Sequence, residues 1–122
     1  MSINRKKLGE KGEDIAVDFL KKRKYKILFR NYRNEFGEID IIAQHKKVIS
    51  FVEVKTRRSD DFGLPHESIG PVKQKKISKV AMGFIQKYKL EETDARFDVV
   101  AVKFFNNGYH VDFIENAFEV RL

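Results

Sequence analysis

The chain has 122 residues, 42% of them hydrophobic and 35% charged, with no cysteine, no tryptophan and a formal net charge of +7. A chain of this length buries roughly two thirds of its unfolded surface, so residues 1–122 are expected to fold as a single domain without disulfides or a structural metal. Lack of cysteine excludes a disulfide scaffold and thiolate-bound zinc or iron–sulfur centres, and His45, His66 and His110 lack zinc-ligand spacing and read as surface residues.

In chain order, Leu8, Ile15, Ala16, Phe19 and Leu20, with Gly12 on the same face, form a helical stripe over about residues 6–23. The pattern then changes to short β-type runs at 25–32, 38–44 and 48–56, with connections short enough to be hairpin turns. A polar stretch over 57–70 is long for a simple connection. Pro71 is placed as the first residue of a second helix, along which Ile77, Val80, Ala81, Phe84, Ile85 and Tyr88 recur with helical spacing. A fourth strand, 96–104, is joined through Asn106-Asn107-Gly108 to a fifth, 109–114, by a strong hairpin signal. The order is therefore αβββαββ, an α/β fold in which an antiparallel meander precedes a right-handed crossover between strands three and four.

The charge is unevenly placed. Residues 1–60 hold 16 Lys/Arg against 9 Asp/Glu, and residues 61–122 hold 9 against 9, so the whole excess lies in the first half. A basic surface concentrates polyanions, which makes nucleic acid the first partner to expect. Part of that excess, Lys21, Lys22, Arg23, Lys24 and Lys26, equally suits a helix C-terminus, where cations complement the dipole. No apolar run approaches the roughly 20 residues that span a bilayer, and Arg5, Lys6 and Lys7 lead into Leu-Gly-Glu instead of an apolar signal core. The expectation is a cytoplasmic protein with no membrane partner.

Ionisable residues inside apolar strands carry the most chemical information, because a buried charge is costly unless it is paired or binds a metal. Alternation along 38–44 groups Glu38, Asp40 and Ile42 on one face, opposite Ile39, Ile41 and Ala43; along 48–56, Ile49, Phe51, Glu53 and Lys55 share a face. A two-residue turn at Lys46-Lys47 pairs residues whose numbers sum to 93, which sets Asp40 opposite Glu53 and Glu38 opposite Lys55. Side chains paired in this way start roughly 4.5–5.5 Å apart at Cβ, so two carboxylates and an ammonium converge. Such carboxylates repel unless a cation joins them, and oxygen-only ligation suits Mg²⁺ or Mn²⁺. A register slip of one would separate them, and a plain Glu38–Lys55 ion pair on a solvated face would account for part of the pattern. Glu13 lies at the edge of the first helix's stripe, where it either leans over the sheet as a third carboxylate or is solvated. Lys73 and Gln74, at the start of the second helix, either contact a phosphate or simply begin an amphipathic helix.

Gly9-x-x-Gly12-Glu13, Gly37-Glu38-Ile39-Asp40, Phe51-Val52-Glu53-Val54-Lys55, Lys73-Gln74 and Arg96-Phe97-Asp98-Val99-Val100 together resemble the YraN family of small bacterial proteins. That family in turn looks like the PD-(D/E)xK nuclease superfamily and is similar in layout to archaeal Holliday-junction resolvases. The resemblance implies a restriction-endonuclease-like fold, with a central mixed sheet flanked by helices. It implies Asp40 and Glu53 as metal ligands, Lys55 as the catalytic lysine and Glu13 as an acidic residue from the first helix; Gln74 matches a helix glutamine of some members. Ile39 stands where the name-giving motif has proline. The function implied is Mg²⁺-dependent (or Mn²⁺-dependent) endonucleolytic hydrolysis of nucleic acid, with DNA favoured, including branched or structured forms. Arg57, Arg58, Lys73 and Gln74 would hold flanking phosphates, and a homodimer is compatible with the likeness to junction resolvases. The alternative is a catalytically inactive nucleic-acid-binding module of the same fold.

Overall fold

The computed structural model describes residues 4–59 and 69–120. Helix α1 spans Arg5–Lys22, strands β1 Lys26–Asn34, β2 Gly37–His45 and β3 Val48–Arg58, helix α2 Pro71–Lys87, and strands β4 Asp94–Phe105 and β5 Gly108–Phe118. The strands form one sheet in the order β1-β2-β3-β4-β5, parallel between β3 and β4 and antiparallel elsewhere. Order and topology are those expected, and they are consistent with a restriction-endonuclease-like fold. Strand β5 runs four residues beyond the expected end, and β1 continues to Asn34, so its hairpin turn shrinks to Glu35-Phe36. Of the polar 57–70 stretch, β3 takes Arg57 and Arg58, while 60–68, including His66, lie outside the described residues.

Local chemistry sets the helix limits. Asn4 caps α1 by accepting from the Lys7 N–H at 2.9 Å, and Lys21 and Lys22 occupy its last turn, where the dipole favours cations. Pro71 opens α2, its missing N–H falling where no intrahelical partner exists.

Each helix covers one face of the sheet. Ala16, Val17 and Leu20 of α1 pack with Ile41, Ala43, Val52, Val100 and Val102. Ile77, Val80, Ala81 and Phe84 of α2 pack with Ile39, Ile42, Ile49, Phe51 and Phe97. Fully burying aliphatic or aromatic side chains of this kind stabilises a fold by about 1.5–3 kcal/mol each before entropy is counted.

The two cores reveal a departure from simple alternation. Ile39 and Ile42 lie on the α2 face, whereas Ile41 and Ala43 lie on the α1 face, so β2 changes face at Asp40. The neighbouring strand does the same: Phe29 and Tyr32 pack on the α2 side, while Arg30 reaches Asp14 of α1 at 2.9 Å. Between them Asn31 takes a left-handed conformation, φ 53°, which asparagine tolerates better than most residues. The irregularities at Asn31 and Asp40 are matched across the pair, so each strand resumes its pleat beyond them. The expectation that Glu38, Asp40 and Ile42 share a face is therefore corrected, because a face switch at Asp40 sends Glu38 to the α1 side.

Candidate functional site

Strands β2 and β3 pair in the anticipated register from His45↔Val48 to Ile41↔Val52, with Lys46 absorbing the tight turn at φ 57°. The described ladder stops there. One residue on, the Asp40 carboxylate accepts from the Val54 backbone N–H at 2.8 Å, so a side chain stands in for a ladder carbonyl where the strands part. The expected Glu38–Lys55 pairing does not form; Glu38 pairs with Arg33 at 2.8 Å, its cross-strand neighbour on β1.

Asp40 and Glu53 are brought together at this divergence. Glu53 is buried on the α2 face, and Lys73 in the first turn of α2 reaches it to form an ion pair. Burial first, and then repulsion from Glu53, push the Asp40 carboxyl up to about 7, against an opposing pull from the Val54 N–H. Lys55 is half-buried beside Lys73. Burial and the neighbouring Lys73 ammonium lower its pKa, while Glu53 and Asp40 pull the other way. For Lys73, burial alone would disfavour the ammonium, but the bond to Glu53 prevails and raises its pKa.

The other face contributes Glu13. With its amide nitrogen oriented to satisfy both partners, Asn31 donates to Glu13 Oε1 at 3.0 Å and to Glu38 Oε1 at 3.1 Å. Burial raises the Glu13 pKa; Arg30 opposes this, and Glu38 and Glu53 add to it. Glu13 is thus a half-buried carboxylate leaning toward the sheet, placed there by a close helix approach. A Cβ on Gly12 would meet Thr56 Oγ1 at 2.2 Å, so only glycine lets α1 pack this tightly on β3.

The remaining expected residues are more dispersed. Arg57 and Arg58 are half-buried at the end of β3, in register with Lys103 and Phe104 of β4. Alternation from Glu53 and Lys55 puts Arg57 on their face and Arg58 on the other. Gln74 donates to the Ile69 carbonyl at 2.8 Å, so part of its amide ties the start of α2 to the chain entering it. Among the described residues, no group of three or more Asp, Glu or His forms a ready-made metal cage.

Asp98, which is fully buried, shows by contrast what is unusual about Asp40. Asp98 also faces a left-handed asparagine, Asn116 at φ 51°, beside a register shift between β4 and β5. Its carboxylate is saturated: Arg96 Nε donates at 2.9 and 3.0 Å, the Asn116 N–H at 3.0 Å, and Ser50 Oγ donates as well. Arg96 in turn donates to the Tyr25 hydroxyl, and Tyr25 stacks on His45 with ring centroids 4.3 Å apart. This network closes the far end of the sheet. Asp40 instead faces a second carboxylate, and the Lys73 ammonium near it is paired with Glu53.

Residues 12–102 match the uncharacterised protein family UPF0102. The chain belongs to that family. It is the family of the YraN proteins, whose motifs the sequence resembles. A UPF0102 protein of Syntrophus aciditrophicus is 48% identical over 112 residues, 92% of this chain and 88% of that one. One from Caldicellulosiruptor saccharolyticus is 48% identical over 118 residues, covering 95% of this chain and all (100%) of its own. A third, from Geotalea uraniireducens, is 49% identical over 116 residues, 94% of this chain and 91% of its own. In this UPF0102 chain no described helix is long and apolar enough to cross a membrane.

Proposed function

We propose that the protein is a metal-dependent nuclease hydrolysing phosphodiester bonds, with Asp40 and Glu53 as metal ligands. The observation that carries this reading is the convergence of the buried Glu53 and the half-buried Asp40 carboxylates on diverging strands, with the Asp40 pKa raised to about 7. Such a pair gains from a shared cation. Its all-oxygen chemistry fits Mg²⁺ or Mn²⁺, ions that use few protein ligands and retain several waters, so a full protein cage is not required. When bound, that ion would acidify a water and offset charge on the phosphoryl oxygens.

The chain's own groups supply the rest. Lys55, its pKa lowered by burial and by Lys73, orients a water and exchanges a proton with it more readily than an exposed lysine would. Lys73, kept protonated by Glu53, supplies positive charge to the phosphate from the first turn of α2, where backbone N–H groups also face anions. Glu13 holds water on the α1 side, and Arg57 grips a phosphate farther along the same face as Lys55.

The Lys73–Glu53 ion pair favours one second reading, an inactive nucleic-acid-binding module, because it partly neutralises the cluster without a metal. Purified protein incubated with Mg²⁺ or Mn²⁺ and single-stranded, duplex and branched DNA, and with RNA, separates the two. The nuclease reading expects cleavage that Asp40→Asn and Glu53→Gln abolish. Binding without product from any substrate would leave the inactive module.

A further inference from the structure

Beyond the carboxylate site, the same sheet face carries an exposed aromatic residue with a lysine over its ring. Lys55 is in register with Ala101, and Arg57 with Lys103, which is paired in turn with His110 of β5. Phe105 follows two residues after Lys103 on that face. It is 46% exposed, and Lys103 Nζ lies 5.9 Å from its ring centroid. At ~3.3 Å per residue, Phe105 sits roughly 13 Å along the strand direction from the level of Lys55. The other exposed aromatic of this hairpin, Tyr109, 54% exposed, packs edge-on against Phe104 on the opposite, α1-facing side.

We propose that Phe105 is a base-stacking platform that receives an unpaired nucleotide of a DNA strand running across the β3–β5 face. This rests on the phosphodiester reading of the Asp40–Glu53 site and adds the substrate class: DNA with unpaired nucleotides beside the bond attacked. An unpaired strand carries phosphates beside aromatic surface, and this face sets Arg57 and Lys103, level with each other on β3 and β4, one pleat before the Phe105 ring. A paired duplex keeps its bases inside the stack and cannot offer them to Phe105. Asp112, 3.0 Å from His110 on the β5 side, bounds the cationic strip there and directs the strand toward Lys103 and Arg57. Stacking and phosphate contacts need no ribose hydroxyl, so DNA satisfies the surface.

The test is fluorescence anisotropy in EDTA, where metal-dependent cleavage does not interfere, with labelled single-stranded DNA, its blunt duplex and the matching RNA strand. Phe105→Ala is expected to weaken single-strand binding about tenfold, the effect of losing one base–aromatic contact, while changing duplex binding less than about twofold. Phe105→Trp should restore affinity, and Tyr109→Ala, on the other face, should leave it within about twofold. Equal losses for single strand and duplex, an unaffected Phe105→Ala, an equal effect of Tyr109→Ala, or RNA bound about tenfold more tightly would each overturn the platform. A wild type that binds no nucleic acid at low salt would overturn the platform and the parent reading together. One that binds and cleaves, but is indifferent to Phe105, would overturn the platform alone.

Discussion

Gly12 of α1 and Thr56 of β3 approach so closely that an added Cβ would lie 2.2 Å from Thr56 Oγ1 and 3.2 Å from its Cβ and Cγ2. Gly12→Ala gains up to about 1 kcal/mol of helix propensity, but forces α1 off the sheet at a cost of about 1–3 kcal/mol. The expected result is a net loss in urea unfolding, partly relieved by Thr56→Ala. Glu13 is the next residue, so the single variant should also lose activity beyond its loss of stability. A fully stable, fully active Gly12→Ala protein would contradict this packing.

Asp40 makes stability pH-dependent. Its carboxyl rises from an ordinary value of 3.8 to about 7 on folding, so in that window the folded chain holds the proton more tightly than the unfolded chain does. Without metal, stability should therefore fall as pH rises through the window and level off above it, by on the order of a few kcal/mol. Asp40→Asn should flatten the profile and unfold at higher urea concentration than wild type at pH 8. A wild-type profile that rises between pH 4 and 7 would refute the assignment.

Calorimetric titration with Mg²⁺ or Mn²⁺ addresses the ligands directly. Binding near pH 7 should release protons, so the measured heat should vary with the buffer's ionisation enthalpy. Asp40→Asn should remove binding. Lys73→Met should strengthen it, because a cation then no longer competes with the ammonium for Glu53. Identical titrations for wild type and Asp40→Asn would exclude the site.

The Asp98 network calls for a different outcome. Asp98→Ala strands the largely buried Arg96 guanidinium, 16% exposed at the side chain, and is expected to cost about 3–5 kcal/mol in denaturant unfolding. Arg96 lies toward the far end of the sheet, so the folded fraction should keep wild-type metal affinity at low temperature. Altered metal binding by folded Asp98→Ala protein would argue against that separation.

Much of this arrangement is legible in the residues. Periodicity yields the order αβββαββ, and a two-residue turn at Lys46-Lys47 is enough to fix the register that brings Asp40 beside Glu53. The face switch is hidden, because a single left-handed residue at Asn31 reverses the pleat and nothing in local composition announces it; an asparagine inside an aromatic strand is the faint signal. The Lys73–Glu53 contact depends on how α2 docks, a long-range fact that helical spacing does not contain. Asp98 sits in a conspicuous motif, yet its role follows from Ser50, Arg96 and Asn116, which meet it only after folding.

The crossing of β2 from one face to the other at Asp40 also has a genetic consequence. Gly12 and Lys73 belong to helices on opposite sides of the sheet, and ordinarily substitutions so placed would combine additively. Here each governs a carboxylate beside the same parting of β2 and β3, Gly12 through Glu13 and Lys73 through Glu53. Variation behind the sheet should therefore change which residues are tolerated in front of it, and epistasis between the two helices should be concentrated on this pair of positions.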